Sequence, residues 1–397
     1  MTVGLGACFS PQPPTGAPCP DGVCPSGLQC SPVTQTCEKP GTGGPVDAPD
    51  MPIDAQSIDT ALVPDAQGCF GSGIVMVCPA APVTAPLSFV NGTTIDTGTS
   101  PSCIAYTGTA GLCVVAGTQV SVAANLTAIG TKPLVILATN TLTVDAAVTI
   151  SVASRTGMPA GAGADPTACV AGTAAIDLQG GAGGSFGGRG GRGASLDDPN
   201  GPLAATPATA PVATLRGGCK GGNGAGTNPG AGGNGGGAVY LIAQSSLTMN
   251  GTINASGAGG GRATNRGGGG GGGTGGMIVL DSASVTIPAS AVVFANGGGG
   301  GEGGTLHKTG NAGADPLTAT TAAAGGVNGA PHGGNGGSGA AGATRDGAAG
   351  RVSNQCTGTG GEAGKGAGAG GGGGGAGVIR IFAASQTIAG TLSPAAN

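Results

Sequence analysis

The residues best able to do chemistry in this chain are its cysteines, 12 in 397 residues, at irregular spacing and many beside Pro or Gly. Such usage is a liability in a reducing compartment and a source of cross-links in an oxidising one, so the sequence predicts export. Cys19, Cys24, Cys30 and Cys37 lie in PCPDGVCPSGLQCSPVTQTC. That segment has too little apolar material to hold itself by burial, and two disulfides are its expected staple, with the connectivity open. Zinc is the competing chemistry for four thiolates, but the paired C-x2-C knuckles of common zinc sites are missing. Further on, Cys69 with Cys78, Cys103 with Cys113, and Cys169 with Cys219 are the expected local pairs, which leaves Cys356 over. Cys8 closes Leu5-Gly6-Ala7-Cys8, in which a small residue precedes the cysteine as at a bacterial lipoprotein acylation site. Cys8 is therefore the lipidation candidate, with the true start expected upstream. The alternative is an unlipidated Cys8 free to pair with Cys356 or with another chain.

The other reactive patterns are weak. Gly183-Gly184-Ser185-Phe186-Gly187 fits the nucleophile-elbow string, but that motif needs a strand before it and a helix after it, and here it sits inside a glycine tract. His307 and His332 have no cysteine, histidine or carboxylate at ligand spacing. Matches to G-x-G-x-x-G follow from composition alone, and Gly364-Lys365 is followed by Gly366 where a phosphate loop needs Ser or Thr. The glycine tracts lack the regularly spaced aspartates of a calcium-binding repeat. Asn91-Gly92-Thr93 and Asn250-Gly251-Thr252 match a glycosylation sequon and read first as turns. No catalytic residue, cofactor site or metal site is expected.

The elements around these residues are equally unusual. With 91 Gly, 28 Pro, no Trp, 8% charged and 2% aromatic residues, any core must be thin and aliphatic, as stacked strands provide. Net charge is −4 with scattered basic residues, so no patch suits a nucleic acid or an anionic membrane. Three regions follow: residues 1–40 with the cysteine module, an acidic Pro/Ala/Asp tether over 41–67, and a repeat domain over 68–397. Asp47, Asp50, Asp54, Asp59 and Asp65 give the tether its single sign of charge, and they lack the spacing of a calcium loop.

In the repeat domain one unit recurs, clearest from Pro133, Ala238 and Gly377 and weaker from Leu112 and Met277. Each copy reads as three short strands. Leu134/Ile136, Val239/Leu241, Ile278/Leu280 and Ile379/Ile381 face one way in the first strand, while Tyr240 and Arg380 face the other. Val120/Val122, Leu142/Val144, Leu247/Met249 and Val285/Ile287 mark the second strand, and Leu126, Val148, Ile253 and Leu392 the third. Val122 and Val144 stand 22 residues apart, about one coil of a stacked repeat. The expected fold class is all-β: a parallel β-helix-like stack with long glycine-rich insertions, and a β-sandwich is the runner-up. GGAGGSFGGRGGRGA from Gly180 spaces its non-glycine residues by three, the period of a polyproline-II-type helix. Such tracts are expected to pack side by side through backbone hydrogen bonds, the alternative being disordered loops. Ala162-Gly163-Ala164-Asp165-Pro166 recurs as Ala312-Gly313-Ala314-Asp315-Pro316, which suggests matching turns.

The order LGAC, PCPDGVCPSGLQC, an Asp/Pro tether and GGAVYLIAQSSLTMNGTINASGAGG resembles glycine-rich exported lipoproteins of myxobacteria, often labelled PE-PGRS-like for their glycine content. The helical N-terminal domain of that mycobacterial family is not matched. The resemblance implies a cell-surface address in a Gram-negative bacterium and no defined activity. The expected function is a non-enzymatic, surface-anchored or extracellular scaffold in adhesion or envelope structure. Its expected partners are surface polysaccharide or other envelope components, with membrane contact only through a lipid anchor. Two alternatives are a β-helical carbohydrate-active enzyme and a carbohydrate- or ice-binding module using outward rows such as Thr141 and Thr143.

Overall fold

A computed structural model describes residues 19, 23–24, 26, 28–31, 36–38, 68–195, 201–208, 212–352 and 367–396. Cys8, Cys356 and the tether aspartates lie outside them. The chain divides into two units at residues 66 and 67. All regular structure among the described residues is β-strand.

In the first unit β1 (Gln29–Cys30) pairs antiparallel with β2 (Cys37–Glu38). Cys19 bonds Cys30 and Cys24 bonds Cys37, so the four cysteines join first to third and second to fourth. Sγ atoms of Cys19, Cys24 and Cys30 lie within 4.8 Å of one another, but as disulfide sulfurs they are not thiolate ligands.

The second unit is built on two six-stranded parallel sheets. One holds β4 (Leu87–Phe89), β7 (Cys113–Val122), β9 (Leu134–Val144), β11 (Ala238–Met249), β13 (Met277–Ile287) and β15 (Val378–Ile388). The other holds β5 (Thr93–Asp96), β8 (Leu126–Ile129), β10 (Thr149–Ser151), β12 (Thr252–Asn254), β14 (Val292–Phe294) and β16 (Thr391–Ser393). Each successive pair of strands places one strand in each sheet, giving six layers. The apolar alternation sets the register: Leu134 pairs with Val239, and Ile278 with Ile379, while Val120 pairs with Leu142 and Leu142 with Leu247. Those inward residues form one buried column after another and make the main core.

Three details differ from the sequence expectation. The first and second strands of each unit are one long strand, in which β9 and β11 each carry one extra residue against their neighbours β7 and β13, a bulge that turns the strand without ending it. Ile150, and not Val148, aligns with Leu126 and Ile253. A sixth layer, β4 with β5, precedes the five repeats read from sequence.

The first halves of β9, β11 and β13 are buried on both faces. Val135, Leu137, Tyr240, Ile242 and Val279 face a second core, closed by Val75, Val77, Phe186, Val212 and Leu215. Val77 belongs to β3 (Val77–Pro79), which pairs antiparallel with β6 (Tyr106–Gly108). Disulfides Cys69–Cys78 and Cys103–Cys113 fasten the region. Arg380 also turns this way, donating to the Val212 carbonyl at 3.0 Å and lying 4.6 Å from the Phe382 ring centre.

The connections between layers carry the glycine tracts, whose amides are hydrogen-bonded in a three-residue rotation. In residues 268–276, the amides of Gly268, Gly271 and Thr274 donate to Ala225, Gly222 and Cys219. Those of Gly269, Gly272 and Gly275 donate to Ala369, Gly372 and Gly375, and those of Gly270, Gly273 and Gly276 to Gly261, Ala258 and Ala255. The same tract accepts from Gly230, Gly233 and Gly236, from Gly181 and Gly184, and from Gly298 and Gly301. One tract thus touches six others, and residues 267–280 are buried throughout.

A single buried hydroxyl lacks a partner among the described side chains: Ser282 Oγ, in register between Ala243 and Ala383 on the inward face. Ser282→Ala is expected to stabilise the protein by about 1 kcal/mol, measured by denaturant unfolding, since it removes an unmet polar group and leaves the column otherwise unchanged.

Candidate functional site: carboxylate caps and a hydroxyl face

Catalysis or metal binding would need convergent side chains, so the carboxylates come first. Asp281 stands on the outer face of β13 beside a cavity of about 430 Å³ lined in part by Phe70, Gln244 and Phe382. Its oxygens accept from the Ser72 amide and hydroxyl, both at 2.6 Å, and from the Tyr240 hydroxyl. Burial, and then that hydrogen bond, raise the Tyr240 pKa far above its usual value, so Tyr240 remains a phenol and a donor. Asp281 clamps the 69–79 segment to the sheet.

Five other carboxylates are used the same way. Glu302, 1% exposed, accepts from the amides of Asn311, Gly329 and Ala330. Asp346 accepts from Arg189, and Asp96 from Gly98. The two Ala-Gly-Ala-Asp-Pro copies are not matching turns, since residues 162–163 turn while 312–316 run without one, yet their aspartates act alike: Asp165 accepts the Gly235 amide and Asp315 the Gly259 amide, each at 2.8 Å, so each carboxylate is tied to a glycine tract. Neither His307 nor His332 lies in a cluster of metal-ligating groups among the described residues. Ser185 is buried and its hydroxyl accepts the Gly190 amide, a bond internal to the tract.

Burial raises the Asp165 pKa against the smaller opposing pull of the Gly235 amide and Lys220. The folded state then holds this proton more tightly than the unfolded state, so stability from this group falls as pH rises through its folded pKa. Asp165→Ala is expected to cost about 1–3 kcal/mol by leaving the Gly235 amide unmet. Asp165→Asn keeps an acceptor without the buried charge. It should match or exceed wild-type stability at neutral pH, an advantage that shrinks in melts run below the raised pKa.

Another exposed feature is a face of hydroxyls. On the outer side of the second half of the long strands, Ser88, Ser121, Thr143, Thr248, Thr286 and Thr387 form one in-register column across all six layers. Beside it run Gln119, Thr141, Ser246, Ser284 and Ser385. All eleven side chains are partly or fully exposed. Neither column holds a charged or aromatic residue. Comparison with family models, curated proteins and solved structures finds no match.

The disulfide candidates are brought together as five bonds, the last joining Cys169 to Cys219 over 50 residues. Arg216 packs its guanidinium 4.3 Å from the Phe186 ring centre and against both sulfurs of that bond. Sequence reasoning missed the capping role of Asp165, Asp281, Glu302 and Asp315. The repeated Asp-Pro was the available signal, because an aspartate before proline favours a turn in which its side chain can accept an amide.

Proposed function

We propose that the chain is an exported, non-enzymatic structural scaffold: a parallel β-helix whose insertions pack as a polyglycine-II-type bundle. The observation that carries this reading is the three-residue rotation in residues 268–276, whose amides donate to three neighbouring tracts while its carbonyls accept from three more. A backbone so fully committed suits a rigid body and leaves little for an induced-fit site. Asp165, Asp281, Glu302 and Asp315 are engaged as amide acceptors and stand apart from one another, which supports a structural role over hydrolysis. Five disulfides fit an oxidising compartment. No helix of the described residues is long and apolar enough to cross a membrane. An acyl chain on Cys8 would supply an anchor, and envelope polysaccharide is the partner in this reading.

The test is surface proteolysis and radiolabelled palmitate incorporation in cells expressing the full precursor. The expected result is a protease-accessible, labelled protein whose label is lost in Cys8→Ser. Reduced cysteines and a cytosolic, protected protein would contradict the proposal.

A further inference from the structure

The hydroxyl face is the part of the long-strand sheet that no described residue covers. The first half of that sheet lies under the second core, and on the short-strand sheet the later outward residues Asn254, Phe294 and Ser393 are buried. Several buried hydroxyls elsewhere hydrogen-bond protein groups, among them Ser154, Ser256, Thr274 and Ser393. Those of the two columns make no side-chain hydrogen bond to protein among the described residues. Their spacing is fixed by the sheet, about 4.8 Å between layers and about 6.6 Å between columns.

A partner that matches this face must be rigid and repeat in two dimensions, and its surface must be neutral and made of hydrogen-bond donors and acceptors. A flexible peptide or a nucleic acid does not meet that description, and both are normally gripped by charges or aromatic rings. A crystalline polysaccharide presents sugar faces that call for flat apolar ring surfaces, and neither column has an aromatic residue. Water ordered as ice meets every condition, since each hydroxyl both donates and accepts, and the threonine methyl groups leave gaps between anchored waters. We propose that this face binds ice. The proposal rests on the in-register sheets and is independent of where the protein resides.

The test is partition of the purified full chain into slowly growing ice, with thermal hysteresis read in parallel. Wild type should enter the ice and show hysteresis. The pair Thr143→Lys with Thr248→Lys, at the centre of the first column, should remain in the liquid with an unchanged melting curve, because these side chains face solvent. Thr131→Lys, an exposed turn substitution off the columns, should behave as wild type. Exclusion of wild type from ice would overturn the proposal, as would equal partition of the lysine pair, or retention on crystalline cellulose or chitin without entry into ice. A chain that melts normally yet is excluded from ice removes this proposal alone, whereas loss of cooperative melting in wild type counts against the scaffold itself.

Discussion

Gly271→Ala is expected to disrupt the glycine bundle, with a loss of at least about 3 kcal/mol in unfolding free energy, while Gly222→Ala is nearly neutral. A Cβ on Gly271 would overlap the Ala182 carbonyl and the following Gly183 nitrogen, all main chain that cannot move aside. Relief would require separating the two tracts and breaking the hydrogen bonds that run between them, from Gly181 to Gly269 and from Gly184 to Gly272. A Cβ on Gly222, an exposed residue, finds its nearest atom at 3.3 Å and needs only a small adjustment. The two substitutions are chemically identical and lie in adjoining tracts. A difference between their chemical melts therefore reports close packing, whereas similar small effects would describe loose chains.

Cys169→Ser is expected to cost about 4 kcal/mol, the loop-closure entropy of a 50-residue separation. The bond joins the Asp165 turn to the tract that donates from Gly218, Gly221 and Gly224 into residues 230–236. Losing it frees the first long connection at both its turn and its tract. The loss should show as a lower denaturant midpoint, together with earlier proteolysis within residues 170–218. Cys69→Ser, which opens a separation of only 9 residues, should cost less.

Much of the strand register was legible because the period-two alternation leaves a single solution once one face is buried. Leu134, Val239, Ile278 and Ile379 align by sequence and pair as neighbours in the sheet. The bulges were not legible, since each copy reads as separate short strands while Thr139-Asn140 and Gln244-Ser245 lie within one continuous strand. The first layer escaped notice because Pro82 and Pro86 leave its long-sheet strand only Leu87–Phe89. The second core did leave a signal: the unbroken apolar runs Leu134–Leu137 and Met277–Leu280 are what a strand buried on both faces requires. The period of three was visible in the tracts, but which tract meets which was not, because identical glycines carry no pairing information. The hydroxyl columns were visible only in part, at Thr141 and Thr143. Their extent depends on six strands separated by as much as 105 residues between Val144 and Met249.

Amide hydrogen exchange on the intact, oxidised chain tests the central claim most directly. Residues 268–276 should be as strongly protected as the amides of β9 and β11, with all three phases of the rotation slowed alike, because each donates to a different neighbouring tract. Exchange of these glycine amides at unstructured rates, beside protected strands, would contradict the account.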